Sequence, residues 1–171
     1  MHKFTIILLA LFSLSAFSQS DVFDVARKGT IEEMKMLVSK DANVVNLVNA
    51  DGNSALILAC YRGNVEVAKF LVSSIKDINY VSSMGTALMA ATFKGQEIIV
   101  QNLLENNSNP NITDSNGTSA LIYATMIKSN KIISLLLKYK ADKNHKDNQG
   151  KKAIDFAILD NDKQLIELLK N

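Results

Sequence analysis

The chain has 171 residues, 47 % hydrophobic and 21 % charged, the balance of a domain with a core rather than of a disordered segment. Lys and Arg number 19 against 17 Asp and Glu, a net charge of +2, which offers no polybasic field for nucleic acid or an anionic membrane. Aromatics are 6 % with no tryptophan, which argues against a base-stacking platform, and the single cysteine, Cys60, excludes an intramolecular disulfide.

Met1-His2-Lys3 is a short basic start, and Thr5 to Phe17 is almost wholly apolar. Ala16-Phe17-Ser18 then places small residues where a signal peptidase reads, so residues 1–18 are expected to be a signal peptide cleaved before Gln19. The competing reading is a buried N-terminal helix. The apolar run is shorter than the roughly 20 residues a spanning helix needs, and no cysteine stands nearby to take a lipid. The mature chain, 19–171, is therefore expected to be exported, periplasmic or secreted, without membrane insertion. Its lysine, isoleucine and asparagine usage suggests an AT-rich bacterial genome.

The rest of the chain is organised by self-similarity. Ala55-Leu56, Ala87-Leu88, Ala120-Leu121 and Ala153-Ile154 are separated by 32, 33 and 33 residues. Each pair follows a glycine (Gly52, Gly85, Gly117, Gly150) and is followed by a second small residue (Ala59, Ala91, Ala124, Ala157). Small residues four apart share a helix face, where another backbone can approach closely. Ser54, Thr86 and Ser119 stand where a side chain can cap this first helix. Gly63 and Gly95 can end it in a left-handed turn, with Lys128 and Asn161 holding that place later. A second apolar helix follows at steps of three and four, through Val67-Ala68 with Leu71-Val72, Ile99-Val100 with Leu103-Leu104, Ile132-Ile133 with Leu136-Leu137, and Leu165-Ile166 with Leu168-Leu169. A polar loop closes each unit, with a recurring asparagine (Asn79, Asn111, Asn144) and then Ser82, Asp114 or Asp147 opening the next turn. The unit reads turn, short helix, tight turn, longer helix, loop.

This period and these residues resemble ankyrin repeats. Asn53-Ser54-Ala55-Leu56-Ile57-Leu58-Ala59-Cys60-Tyr61-Arg62-Gly63 follows that family's first-helix signature, and Lys140-Ala141-Asp142-Lys143-Asn144 follows its closing loop. Val25-Ala26-Arg27-Lys28-Gly29 carries an opening repeat. The resemblance implies an all-α solenoid of about five helix-turn-helix repeats with short β-turn tips, near 20–48, 49–81, 82–113, 114–146 and 147–171.

The departures concern stability. Alanine replaces the family's Thr-Pro proline at residues 55, 87, 120 and 153. Ile57, Met89, Ile122 and Asp155 replace its histidine, and with it the hydrogen bonds that histidine makes between repeats. Asp41, Ile75, Asn107 and Lys140 stand where a glycine often ends the second helix, at about 1 kcal/mol each if the backbone there stays left-handed. A moderately stable array is expected. Glu33 and Lys170 are polar where inner repeats are apolar, as the end caps of a soluble monomeric solenoid would be. The repeats are thus expected to fill the mature chain.

Residues for chemistry are few. With His2 lost, His145 is the one histidine, which excludes a His/Cys zinc cluster. No phosphate-loop pattern occurs, and Asp160 and Asp162 lack the spacing of a calcium loop. Neither an enzyme nor a cofactor is expected. Cys60, on an apolar helix face, reads as a small buried hydrophobe. Asn106, Asn111 and Asn116 begin glycosylation-type triplets that matter only after passage through an endoplasmic reticulum.

Protein binding through the groove of the stack is what the resemblance implies. Tyr61, Phe93, Met126 and Leu159 are equivalent in successive repeats, followed by Arg62, Lys94, Ile127 and Asp160, and in the family these two positions tend to face the groove. An apolar ladder beside Arg62 and Lys94 has the composition of an interface centre. Packing of the ladder between repeats is the alternative. At the turn tips Met84 is the most suggestive residue, an apolar side chain on an expected exposed loop, with Asn49, Asp51, Ser115, Asn116, Asn148 and Gln149 of lower rank. The partner is expected to be a protein and not a nucleic acid. Its setting is a periplasmic or secreted complex. The alternatives are an effector acting on a host protein, or an accessory factor for an exported enzyme such as a catalase.

Overall fold

A computed structural model describes residues 21–170, so the expected cleavage site after Ser18 lies outside the described residues. Five inner helices are α1 (Val22–Lys28), α3 (Ala55–Arg62), α5 (Ala87–Phe93), α7 (Ala120–Met126) and α9 (Ala153–Leu159). Each is followed by an outer helix, α2 (Ile31–Lys40), α4 (Val65–Val72), α6 (Glu97–Glu105), α8 (Asn130–Lys138) or α10 (Lys163–Lys170). Inner helices pack on inner helices in chain order, and outer on outer, so the described residues form a two-layer all-α solenoid.

The inner helices begin where the sequence places hydroxyl caps. Ser54, Thr86 and Ser119 accept the backbone N–H of Ile57, Met89 and Ile122, and Thr30 with Glu33 forms a capping box on α2. Lys152 offers no such cap, and there Asp155 reaches back to accept the Lys152 N–H at 2.8 Å. A residue at the family's histidine position thus serves a helix terminus. The inner helices end as expected, with Gly63 left-handed at φ 72° and Lys128 and Asn161 at 58° and 54°. The outer helices divide. Asn107 and Lys140 are left-handed at 65° and 64°, whereas Asp41 is extended at −148° and Ile75 is not left-handed.

The core lies between and within the layers. Ala59, Ala91, Ala124 and Ala157 are each at most 1 % exposed, which lets the inner helices meet along small residues. Leu56, Leu88 and Leu121, and Leu71, Leu103 and Leu136 from the outer layer, fill the space around them. The glycine-containing turns carry isolated antiparallel bridges, Val48 to Ser54, Ser82 to Gly85 and Thr113 to Ser119. Each turn is organised by one short polar side chain. Asp114 Oδ1 accepts the Asn116 and Thr118 N–H groups, Asp147 Oδ1 those of Gln149 and Lys151, and Ser82 Oγ that of Met84. Asn49, named from sequence only as a turn-tip candidate, does the same for Asp51 and Asn53 as a fourth member of this turn series.

The recurring asparagines join one repeat to the next. Asn79 Oδ1 accepts the Asn109 N–H at 2.8 Å, and Asn111 Oδ1 accepts the Asp142 N–H at 2.7 Å. Asn111 also donates to the Lys140 carbonyl at 3.0 Å, and Asn46 accepts from Lys76 at 2.9 Å. Asn64 Nδ2 donates back to the Gly29 carbonyl at the end of α1, at 2.9 Å. These bonds supply between repeats what the absent histidines do not.

Two substitutions test this reading by urea unfolding. Asn111→Ala removes two inter-repeat bonds and is expected to cost about 1–2 kcal/mol. Lys128→Gly relieves a left-handed lysine and is expected to gain about 0.5–1 kcal/mol, because the exposed Lys128–Asp160 pair it gives up, at 3.1 Å, is worth little.

Candidate functional site

Along the inner helices, positions three apart share a face. Phe93, Met126 and Leu159 are 48 %, 47 % and 68 % exposed, and Tyr61 is half-buried. The ladder therefore does both of the things weighed from sequence. It presents apolar surface, and it also packs along the stack, since the Phe93 and Tyr123 rings meet edge to face at 5.6 Å between centroids. Lys94 lays its ammonium 4.9 Å from the centroid of the Tyr61 ring in the preceding repeat, a cation–π contact. Arg62 is exposed, Ile127 is half-buried, and Asp160 pairs with Lys128.

Met84, exposed on the third turn, joins this surface. With Tyr61, Met89, Ala90, Phe93 and Tyr123 it lines a cavity of about 260 Å³ where turn and inner helices converge. No lining residue is charged. Tyr123 is absent from the sequence-based site, and Met89 stands there only as a replacement at the family's histidine position. The signal for Tyr123 is its place three residues before Met126, on the same helix face. Its hydroxyl donates to Asp114 Oδ2 at 2.6 Å, and burial together with that carboxylate pushes its ionisation up to about 12. Asp114 thereby ties the turn of repeat four to the groove wall. The later turns are laced to one another, with Asn148 Nδ2 donating to the Ser115 carbonyl at 3.1 Å and His145 Nε2 2.7 Å from the Gly117 carbonyl.

A larger open cleft, about 520 Å³, lies between α6 and α8 in the outer layer. Six of its eight lining residues are polar or charged, and the Glu97–Lys131 ion pair, at 3.2 Å, sits on it. Its volume and the exposed side chain of Ile98 favour this cleft. Convergence of aromatic and methionine side chains from two kinds of element favours the inner-helix groove, and we give that more weight because interface centres are built from such residues.

The residues weighed for chemistry are placed apart. Cys60 is fully buried, and desolvation pushes its thiol up, away from the thiolate form a nucleophile needs. Asp162 caps α10 by accepting the Leu165 N–H at 3.1 Å. Among the described residues no three His, Cys, Asp or Glu side chains gather as a metal site, and no helix is long and apolar enough to cross a membrane. Asn111 of the second glycosylation-type triplet uses its side-chain amide between repeats, and Ser108 of the first triplet is buried.

A family model described as ankyrin repeats, three copies, matches residues 22–114 and again 88–171. The chain belongs to the ankyrin-repeat family. A segment of 102 residues is 35 % identical to the ankyrin repeat and SAM domain-containing protein 6 of Rattus norvegicus, covering 58 % of this chain and 12 % of that protein. An ankyrin repeat-containing protein of Treponema pallidum is 33 % identical over 58 % of this chain and 34 % of its own length. The DNA replication inhibitor plutonium of Drosophila melanogaster is 31 % identical over 68 % of this chain and 64 % of its own. The match therefore spans under two thirds of each of these relatives. Ankyrin repeats are a protein–protein interaction fold and are in general not enzymes, so the ankyrin groove is the candidate site.

The Tyr123 contact gives a measurable consequence. The folded state holds the Tyr123 proton up to about 12, whereas an unfolded tyrosine loses it near 10. This contribution to stability is intact below pH 10 and is lost as pH rises towards 12. Absorbance titration is expected to show one of the four tyrosines ionising with a midpoint near 12, and Tyr123→Phe to remove that late phase.

Proposed function

We propose that this ankyrin array binds a partner protein through the groove formed by Tyr61, Met84, Phe93, Tyr123, Met126 and Leu159, and acts by occupying that partner's surface. The observation that carries the reading is the exposed apolar ladder. Three large side chains at one register, each about half exposed or more, leave apolar area in water that a partner would remove. Tyrosine, phenylalanine and methionine anchors beside Arg62 and Lys94 are the residue types that concentrate binding energy at interfaces.

The setting we propose is outside the cytosol, periplasmic or secreted. Support for it comes from the Met1-His2-Lys3 start, the apolar Thr5–Phe17 run and the small residues Ala16 and Ser18. The array works as a monomer in this reading, since Glu33 and Lys170, exposed on the outer helices of the end repeats, disfavour stacking of one copy on another.

In-cell crosslinking of the tagged protein, followed by mass spectrometry, tests the binding claim. Wild type is expected to capture a partner that Tyr61→Ala/Phe93→Ala loses while remaining folded. Capture that is equal in both would move the site away from the groove. Cell fractionation with N-terminal sequencing tests the setting, with a chain beginning at Gln19 outside the cytosol as the expected result and a full-length cytosolic chain as the contrary one.

A further inference from the structure

The position after the ladder carries Lys28, Arg62, Lys94, Ile127 and Asp160 in repeats one to five. Three successive cations therefore stand at one register, followed by an apolar residue and an aspartate. Lys28, Arg62 and Lys94 are all exposed, and none forms an ion pair among the described residues. Several carboxylates of these turns and helices are hydrogen-bonded or paired, and those bonded only to neutral donors keep their charge. Asp24 pairs with Arg27 at 3.1 Å, Glu33 accepts the Thr30 N–H at 2.8 Å, and Asp114 holds Tyr123 and its own turn. Asp51, on the second turn, meets Asn49 at 3.5 Å. At the far end Lys128 neutralises Asp160. At this one register repeats one to three thus present exposed cations, whereas repeats four and five present an apolar residue and a paired aspartate; Lys28 shares a hollow with Asp24 and Glu33, and Lys151 lies over the Phe156 ring in repeat five.

We propose that the occupant of this groove is an extended acidic segment of a partner protein. Its carboxylates lie along Lys28, Arg62 and Lys94, and its large apolar side chains lie over Phe93, Met126 and Leu159. The proposal rests on the binding reading above and adds the chemistry and direction of the partner. Neighbouring helices sit about 8–10 Å apart, and an extended chain in the polyproline-II conformation advances about 3.1 Å per residue and returns to the same face every third residue, so carboxylates three residues apart match successive cations. Lys94, held over the Tyr61 ring, joins the two halves of the surface: its charge faces the acidic stretch while the ring beneath it borders the apolar cavity. The apolar ladder is what favours a protein segment over a polynucleotide, whose phosphates would use the cations and leave Met126 and Leu159 uncovered.

A random peptide library displayed on phage, panned on the purified chain and counter-panned on Tyr61→Ala/Phe93→Ala, tests this. Groove-dependent peptides are expected to carry an excess of Asp and Glu on one side of aromatic or aliphatic residues. Synthetic copies of them are expected to bind Arg62→Gln/Lys94→Gln about tenfold more weakly at about 50 mM salt, and the difference is expected to shrink at about 500 mM. Thermal unfolding checks that both variants fold. Groove-dependent peptides that are neutral or basic would overturn the acidic partner and leave the groove standing. Absence of any groove-dependent peptide would overturn the proposal together with the binding reading. A thymidine oligonucleotide that binds through Arg62 and Lys94 more tightly than the peptides would overturn it in favour of nucleic acid.

Discussion

Close approach of the inner helices along alanine is the constraint on which the molecule depends. A helix pair of this length cannot bury its apolar face alone, so each repeat is stable only against its neighbours. Ala59, Ala91, Ala124 and Ala157 exclude solvent completely or nearly so, and a larger side chain at any of them would push two repeats apart. Because the same face meets the same face four times over, every other position repeats in register too. The groove columns of Tyr61, Phe93, Met126 and Leu159 exist as columns for that reason. Function in this reading is a consequence of packing, since a slip in one repeat would break both the core and the ladder.

The array reaches this packing without several residues its family uses. Asparagine side chains in the closing loops bond backbone groups of the following repeat, and Asn64 satisfies carbonyls at the end of α1. Asp155 turns the vacated histidine position to a helix cap, and Tyr123 and Asp114 clamp a turn against an inner helix. These are local bonds of modest strength, distributed along the stack rather than gathered at one site. Left-handed Asn107, Lys128, Lys140 and Asn161 work against them, because each holds a side chain where glycine is easier.

Much of this was legible in the sequence because the repeat prints the same physical requirement several times. The hydroxyl caps, the small residues and the turn glycines could be read from alignment of the chain with itself. What escaped lies where the repeat is irregular or where contacts cross registers. Asn46 and Asn49 belong to the asparagine and turn series, but they sit around a short 3-10 turn, Val44–Asn46, near the join of the first two repeats. Lys28 extends the cationic column, but it stands in the opening repeat, whose likeness to the others is weakest. Tyr123 lies outside the register of the ladder and reaches the cavity by its position one turn earlier on α7. The outer helix ends show the limit of pattern: the four aligned non-glycine residues fall at different distances from the helix end, Asp41 as the C-cap of α2, Ile75 three residues past α4, and the left-handed Asn107 and Lys140 two past α6 and α8.

The central claim is that the inner-helix groove, and not the outer cleft, is the surface that meets a partner. A photo-reactive phenylalanine analogue placed in living cells at Phe93, and in a second strain at Ile98 on the opposite layer, tests this most directly. Both side chains are exposed, so the comparison is between faces and not between degrees of access. The account predicts a discrete adduct from position 93 and none from position 98. An adduct from position 98 with none from position 93 would contradict it and move the interface to the outer helices.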